Sequence, residues 1–242
     1  MGTSKSFSLK SSPNWSSVKR SVTNMINGSG NIANNGTNFM RSFATALGNE
    51  VYRGSNSSGK SFGYAGTKAI TNFVSFISDV RSIGLSNALN FELLDGSRQP
   101  ETPKEFIDSI YQYIIGESDS GFDDGAAAES MRKLLVEIFS SCESDEQIED
   151  VLKSADDEQI ADWIVIYEVE YILEYAFELF QSHIFSKEGN PEQIKGEIRR
   201  WLKGVINERL ADDISHVNFF SPEGKAYLDE LISKIIGIWG QE

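Results

Sequence analysis

Residues 157–185, DEQIADWIVIYEVEYILEYAFELFQSHIF, decide the fold class. Ile160, Trp163, Ile164, Tyr167, Tyr171, Ile172, Tyr175, Leu179 and His183 recur at steps of three and four through this stretch. That is the period of one helix face, and it persists far beyond the length of an ordinary strand. Glu168, Glu170, Glu174 and Glu178 fall between these residues and are expected to form the solvated face of the helix or, as the alternative, to meet a basic partner.

The same period extends in both directions. Asn190-Pro191 opens a segment with Ile194, Ile198, Trp201, Leu202, Val205 and Ile206 at helical spacing. Ser221-Pro222-Glu223 opens another with Tyr227, Leu228, Leu231, Ile235 and Trp239, since proline favours the first helical turn. Towards the N-terminus, Ser144 and Gln147 resemble a capping box for a short helix through Leu152. A helix from about Ala126 to Cys142 would bury Met131, Leu134, Leu135, Ile138 and Phe139. Thr102-Pro103-Lys104-Glu105 reads as a helix start that turns Phe106, Ile107, Ile110, Tyr113 and Ile114 inward. From Thr67 the stripe Ile70, Phe73, Val74, Ile77 and Val80 runs to Gly84, and Leu85, Leu89, Leu93 and Leu94 follow it. Strand alternation is scarce, so the chain reads as all-α, an irregular helical bundle.

Residues 1–66 differ in texture. Ser, Asn and Gly dominate, and Asn27-Gly28-Ser29-Gly30, Asn34-Asn35-Gly36 and the 54–59 run favour turns and coil. Two patches, Trp15 to Ile26 and Phe39 to Val51, are spaced for helix but too short to be stable alone. The expected division is a flexible tail and linker with short docking helices, 1–66, and an acidic helical domain, 67–242.

Charge divides along similar lines. The chain carries −14 overall, but residues 1–90 hold nine Lys/Arg against Glu50 and Asp79, while residues 91–242 hold 13 against 34 acids. The acidic part repels nucleic-acid phosphates, so nucleic acid is disfavoured as a partner. The basic part suits nucleic acid, an acidic partner or the acidic part of another copy. A single cysteine, Cys142, no secretory leader and no run of about 20 apolar residues point to a cytoplasmic protein outside the membrane.

Few motifs carry chemistry. Gly54 to Ser61 satisfies G-x-x-x-x-G-K-[ST], in which Gly59, Lys60 and Ser61 would bind nucleotide phosphates and Mg²⁺. The lead-in Gly48 to Arg53 is too polar for a central parallel strand, and Gly63 and Gly66 weaken the helix that should follow, so a linker is favoured. Trp163 to Tyr167 with Glu168 imitates a Walker B strand but sits within helical spacing. Asp119, Asp123 and Asp124 lack the ligand alternation of a calcium loop, and His183 and His216 have no ligand-spaced neighbours, so no metal site is expected. Two isolated histidines give no Ser-His-Asp or Cys-His arrangement, and a non-enzymatic protein is the expectation.

Met1-Gly2-Thr3-Ser4-Lys5-Ser6 followed by Pro13-Asn14-Trp15-Ser16 resembles the opening of QatB-type proteins of the bacterial Qat anti-phage defence system. The layout beyond it is similar too: a Gly/Ser-rich middle, a helix near Thr67 to Gly84, the Asp123-Asp124 loop, and an acidic Tyr/Glu-rich helix at Tyr167 to Phe180. Many relatives carry Gly-Gly-Pro soon after the opening, where this chain has Phe7-Ser8-Leu9-Lys10. The resemblance implies a QueC-like (QatC-type) partner enzyme, together with an ATPase and a TatD-like nuclease. It further implies that this enzyme joins a 7-deazaguanine-type base to the amine of Gly2, the one covalent group expected and the only cofactor-like one. Thr3, Ser4, Lys5, Ser6, Pro13 and Trp15 would then contact the partner. Gly2 to Ser6 also fits the loose myristoylation pattern, which bacteria generally do not use. The remaining alternatives are a nucleotide-binding protein using Gly54 to Ser61 and a plain oligomeric scaffold.

Overall fold

A computed structural model describes residues 13–26, 31–54, 60–89, 100–116, 121–184, 191–214 and 216–240. Gly2, Thr3, Ser4, Lys5, Ser6, Gly59, Leu93, Leu94 and Asp119 lie outside these residues, as do the side chains of Pro13, Glu178, Leu179 and His183.

The described residues form ten α-helices: α1 (Pro13–Ile26), α2 (Ile32–Leu47), α3 (Tyr64–Ile83), α4 (Leu85–Ala88), α5 (Pro103–Ile115), α6 (Phe122–Phe139), α7 (Asp145–Ser154), α8 (Asp157–Ile184), α9 (Pro191–Ile214) and α10 (Pro222–Gly240). The fold is all-α, as the spacing predicts. Val51 and Phe62 form a parallel β-bridge, in which Tyr52 N–H donates to the Phe62 carbonyl at 2.7 Å and Phe62 N–H to the Glu50 carbonyl at 2.8 Å.

α8 is the axis of the molecule. Its predicted stripe is buried from Ile160 to Ile172 and partly buried at Tyr175, but Val165, Val169 and Leu173 on the other side are buried too, which makes most of its circumference apolar between Ile160 and Ala176. α6 lies along it, α3 and α9 pack against it, and α1 and α2 close over its C-terminal half. The expected wet face is therefore corrected: Glu168 is 1% exposed, Glu170 4%, and Glu174 is largely covered. α9 lies over that side and brings cations to it.

Helix starts follow local chemistry. Thr102 and Glu105 form the reciprocal capping box that the sequence announces, and the Ser144 hydroxyl accepts from Gln147 N–H at 3.3 Å. Tyr113 departs from expectation: it is 44% exposed, with its ring on Phe76 and its hydroxyl donating to Asp79 at 3.3 Å. Its amphipathic ring covers the core edge while the hydroxyl stays at the surface.

The N-terminal region differs most from expectation. The first patch extends back to Pro13, and the second begins at Ile32, capped by the Asn31 side chain accepting from Ala33 N–H at 2.8 Å. Asn34-Asn35-Gly36 is helix, not a turn. Gly36 is there for space: a Cβ would stand 2.5 Å from Cε3 of Trp201 on α9. α1 and α2 bury Val18, Val22, Met25, Phe39, Met40 and Phe43 in the same continuous interior that reaches Trp239 on α10. Sealing the two parts together, Phe43 meets Phe62 edge-on at 5.5 Å, and Phe62 stacks on Tyr171 at 5.2 Å and meets Tyr175 at 4.6 Å.

Candidate functional site

Two places carry the expected functional residues: the start of α1 and the entry to α3. At the first, Pro13 begins α1, consistent with the preference for proline at a first helical position. Trp15 lies two residues on, partly buried, with its ring edge-on to Phe43 at 6.1 Å. The tryptophan expected to contact a partner thus packs on its own chain.

At the second, the chain passes from Lys60, exposed, through Ser61, 9% exposed, into α3 at Tyr64. Gly63 holds φ +100°, a conformation natural to glycine, and turns its N–H into the protein. The Asp123 carboxylate, in the first turn of α6, receives Gly63 N–H at 3.1 Å and Ala65 N–H at 2.7 Å. The Tyr171 hydroxyl donates to the same carboxylate and accepts from Gly63 N–H at 2.9 Å. A negative side chain thus satisfies the positive end of the α3 dipole. Burial pushes Asp123 above its ordinary value, although the Tyr171 hydroxyl and the two amides pull the other way.

This arrangement bears directly on the nucleotide-binding reading. A phosphate loop leaves its backbone amides open at the start of the helix and follows a buried strand. Here amides at the α3 entry are occupied by a carboxylate, Val51 contributes a single bridge, and Trp163 to Tyr167 lies inside α8. Gly66, which reads as a helix weakener, is again a matter of fit, because the Tyr171 ring covers it.

Behind the α3 entry the interior is unusually polar. The Tyr167 hydroxyl donates to the Gly66 carbonyl at 3.2 Å. Glu168 is enclosed, and burial raises its carboxyl to about 8, with Asp123 adding repulsion, so it is neutral at pH 7. Its Oε2 has no hydrogen-bond partner, nor do the buried hydroxyls of Thr67, Thr71 and Ser130 on the adjoining α3 and α6. On the α9 side, Arg199 pairs with Glu170, and Lys133 and Lys195 both reach Glu174. Burial alone would raise Glu174, but those two ammonium groups hold it below the usual carboxylate range. None of this set was foreseen as a site. The available signal was the mixture of Tyr and Glu in a helix that is otherwise apolar on every side.

Comparison with known families adds the identity. The family model for the Qat anti-phage system associated protein QatB matches residues 54–237, well over half the chain. The chain belongs to the QatB family. It is therefore a component of an anti-phage defence system, which implies partner proteins within that system. The QatB match includes Lys60, the α3 entry, Asp123, Glu168 and the ion pairs of α8, and begins after Gly2, Pro13 and Trp15. None of the curated proteins compared matches the chain, and no solved structure does. Among the described residues no helix is long and apolar enough to cross a membrane.

Proposed function

We propose that this QatB-family protein is a non-catalytic subunit that presents Gly2 to a QueC-like enzyme of its defence system, for conjugation of a 7-deazaguanine-type base to the Gly2 amine. The family membership supports the setting. The observation that carries the presenting role is the anchored start of α1: Trp15 against Phe43, with Val18, Val22 and Met25 buried behind it. Residues 2–12 measured from there could reach at most about 40 Å when extended, enough to enter a neighbouring enzyme's active site. An enzyme that adenylates a carboxylate needs an unhindered amine as acceptor, and glycine is the least hindered residue. In this reading Thr3, Ser4, Lys5 and Ser6 line the partner's channel, and the helical body holds that partner within reach.

The test is the intact mass of the protein co-expressed with its QueC-like neighbour. The reading expects a mass above that of the Met-free chain by one deazaguanine-type adduct, lost in Gly2→Pro. The Met-free mass alone would count against it, as would full phage protection by Gly2→Pro.

A further inference from the structure

The first 49 residues contain no acidic residue, while residues 143–162 contain nine acids and one lysine, Lys153. The fold turns this asymmetry of sequence into an asymmetry of surface. On the α1–α2 hairpin, Lys19, Arg20 and Arg41 are exposed among Asn24, Asn34 and Asn38, a face of cations and neutral donors without a carboxylate of its own. Around α7 and the turn into α8, Glu143, Glu146, Asp150, Asp156, Asp157 and Glu158 are exposed.

These faces cannot meet within one molecule. The hairpin closes over the C-terminal half of α8, where Phe43 lies 6.2 Å from Tyr175. α7 packs at the far end of α3, where Glu149 accepts from Leu85 N–H at 2.9 Å. Asp157 and Tyr175 are separated along α8 by about 27 Å at helical rise.

We propose that the α1–α2 face docks onto the α7–α8 acidic face of a second copy, a head-to-tail contact between unlike surfaces. A second copy is the occupant whose complementary surface is part of the same structure. Charge −14 on each molecule does not forbid this, because at physiological salt the screening length is about 8 Å and only the facing groups count. Each copy carries one face of each kind, so two copies can pair reciprocally about a two-fold axis or, with one face of each left open, extend into chains. This proposal is independent of the role given to Gly2.

The experiment is sedimentation velocity of the full chain over a concentration series, at about 0.15 M and about 1 M salt. The expected result is concentration-dependent association at the lower salt, lost at the higher. Reversing the hairpin charges (K19E with R20E and R41E) is expected to weaken association at least about tenfold, and so is E146K with D150K. An equimolar mixture of the two reversed proteins should associate again, which a merely misfolded variant would not do. A monomer at every concentration and salt overturns the proposal. So does unchanged association of either reversed variant alone, or binding of duplex DNA through the hairpin face by a protein that stays monomeric.

Discussion

Tyr171 on α8 is fitted to Gly66 on α3: a Cβ at residue 66 would stand 2.6 Å from Cε1 of the tyrosine ring. The approach brings the Tyr171 hydroxyl to Gly63 and Asp123, so one small residue permits the whole α3–α6–α8 junction.

Gly66→Ala is accordingly expected to destabilise the protein by about 1–3 kcal/mol, the usual cost of overfilling a packed site. Gly204→Ala is the contrast. Nothing lies within 4 Å of a Cβ at 204, in the interior of α9. The second change is expected to stabilise by about 0.5–1 kcal/mol, because alanine is the better helix former. Thermal unfolding should move in opposite directions for the two, by roughly 2–4 °C per kcal/mol.

Glu168 makes stability depend on pH. Its carboxyl sits at about 8 in the folded protein, against the ordinary 4.5. The unfolded chain therefore releases this proton first, and stability falls as pH rises from about 4.5 to about 8, by up to about 1.4 kcal/mol per unit. Glu168→Gln removes the slope. Urea denaturation should find the variant close to the parent near pH 4.5 and more stable than it above pH 8; an identical pH profile for both would refute the assignment.

Asp123→Ala removes the shared acceptor of two backbone amides and one phenol. The expected loss is about 2–4 kcal/mol, because the donors remain buried without their partner. Hydrogen exchange should localise the change: the amides of Gly63 and Ala65 lose protection, while those of α10 change little. Uniform loss across all helices would mean that Asp123 supports the whole fold and not the start of α3.

Lys60→Ala discriminates between readings of the Gly54 to Ser61 segment. With Lys60 at the surface and the α3 amides already satisfied, phage protection should be unchanged and the parent should show no measurable ATP affinity. Loss of protection together with nucleotide binding by the parent would restore the phosphate-loop reading.

Much of the fold was legible because its signal is local. The stripes of α3, α9 and α10, the Thr102 capping box and the prolines at helix starts need no knowledge of distant residues. The errors share one cause, a partner far away in sequence. Gly36 and Gly66 look like breakers until Trp201 and Tyr171 stand beside them. Glu170 looks solvated until Arg199, on a different helix, covers it. Alternation of Glu and Tyr along α8 marks an outer face in a two-layer protein, but between Tyr167 and Glu174 this helix is covered, and the carboxyls of Glu168, Glu170 and Glu174 had to be paired or neutral. As for Gly2, the sequence supplied the whole expectation, through its resemblance to a family.

The small bridge between Val51 and Phe62 has a practical use. It fixes Val51 beside Phe62, so extra residues spliced into the chain between them would add only a slowly growing closure entropy, about 0.6 kcal/mol for each doubling of length. That makes this segment an attachment point for an epitope or a fluorophore, through which the protein could be followed in an infected cell with its first residue left untouched.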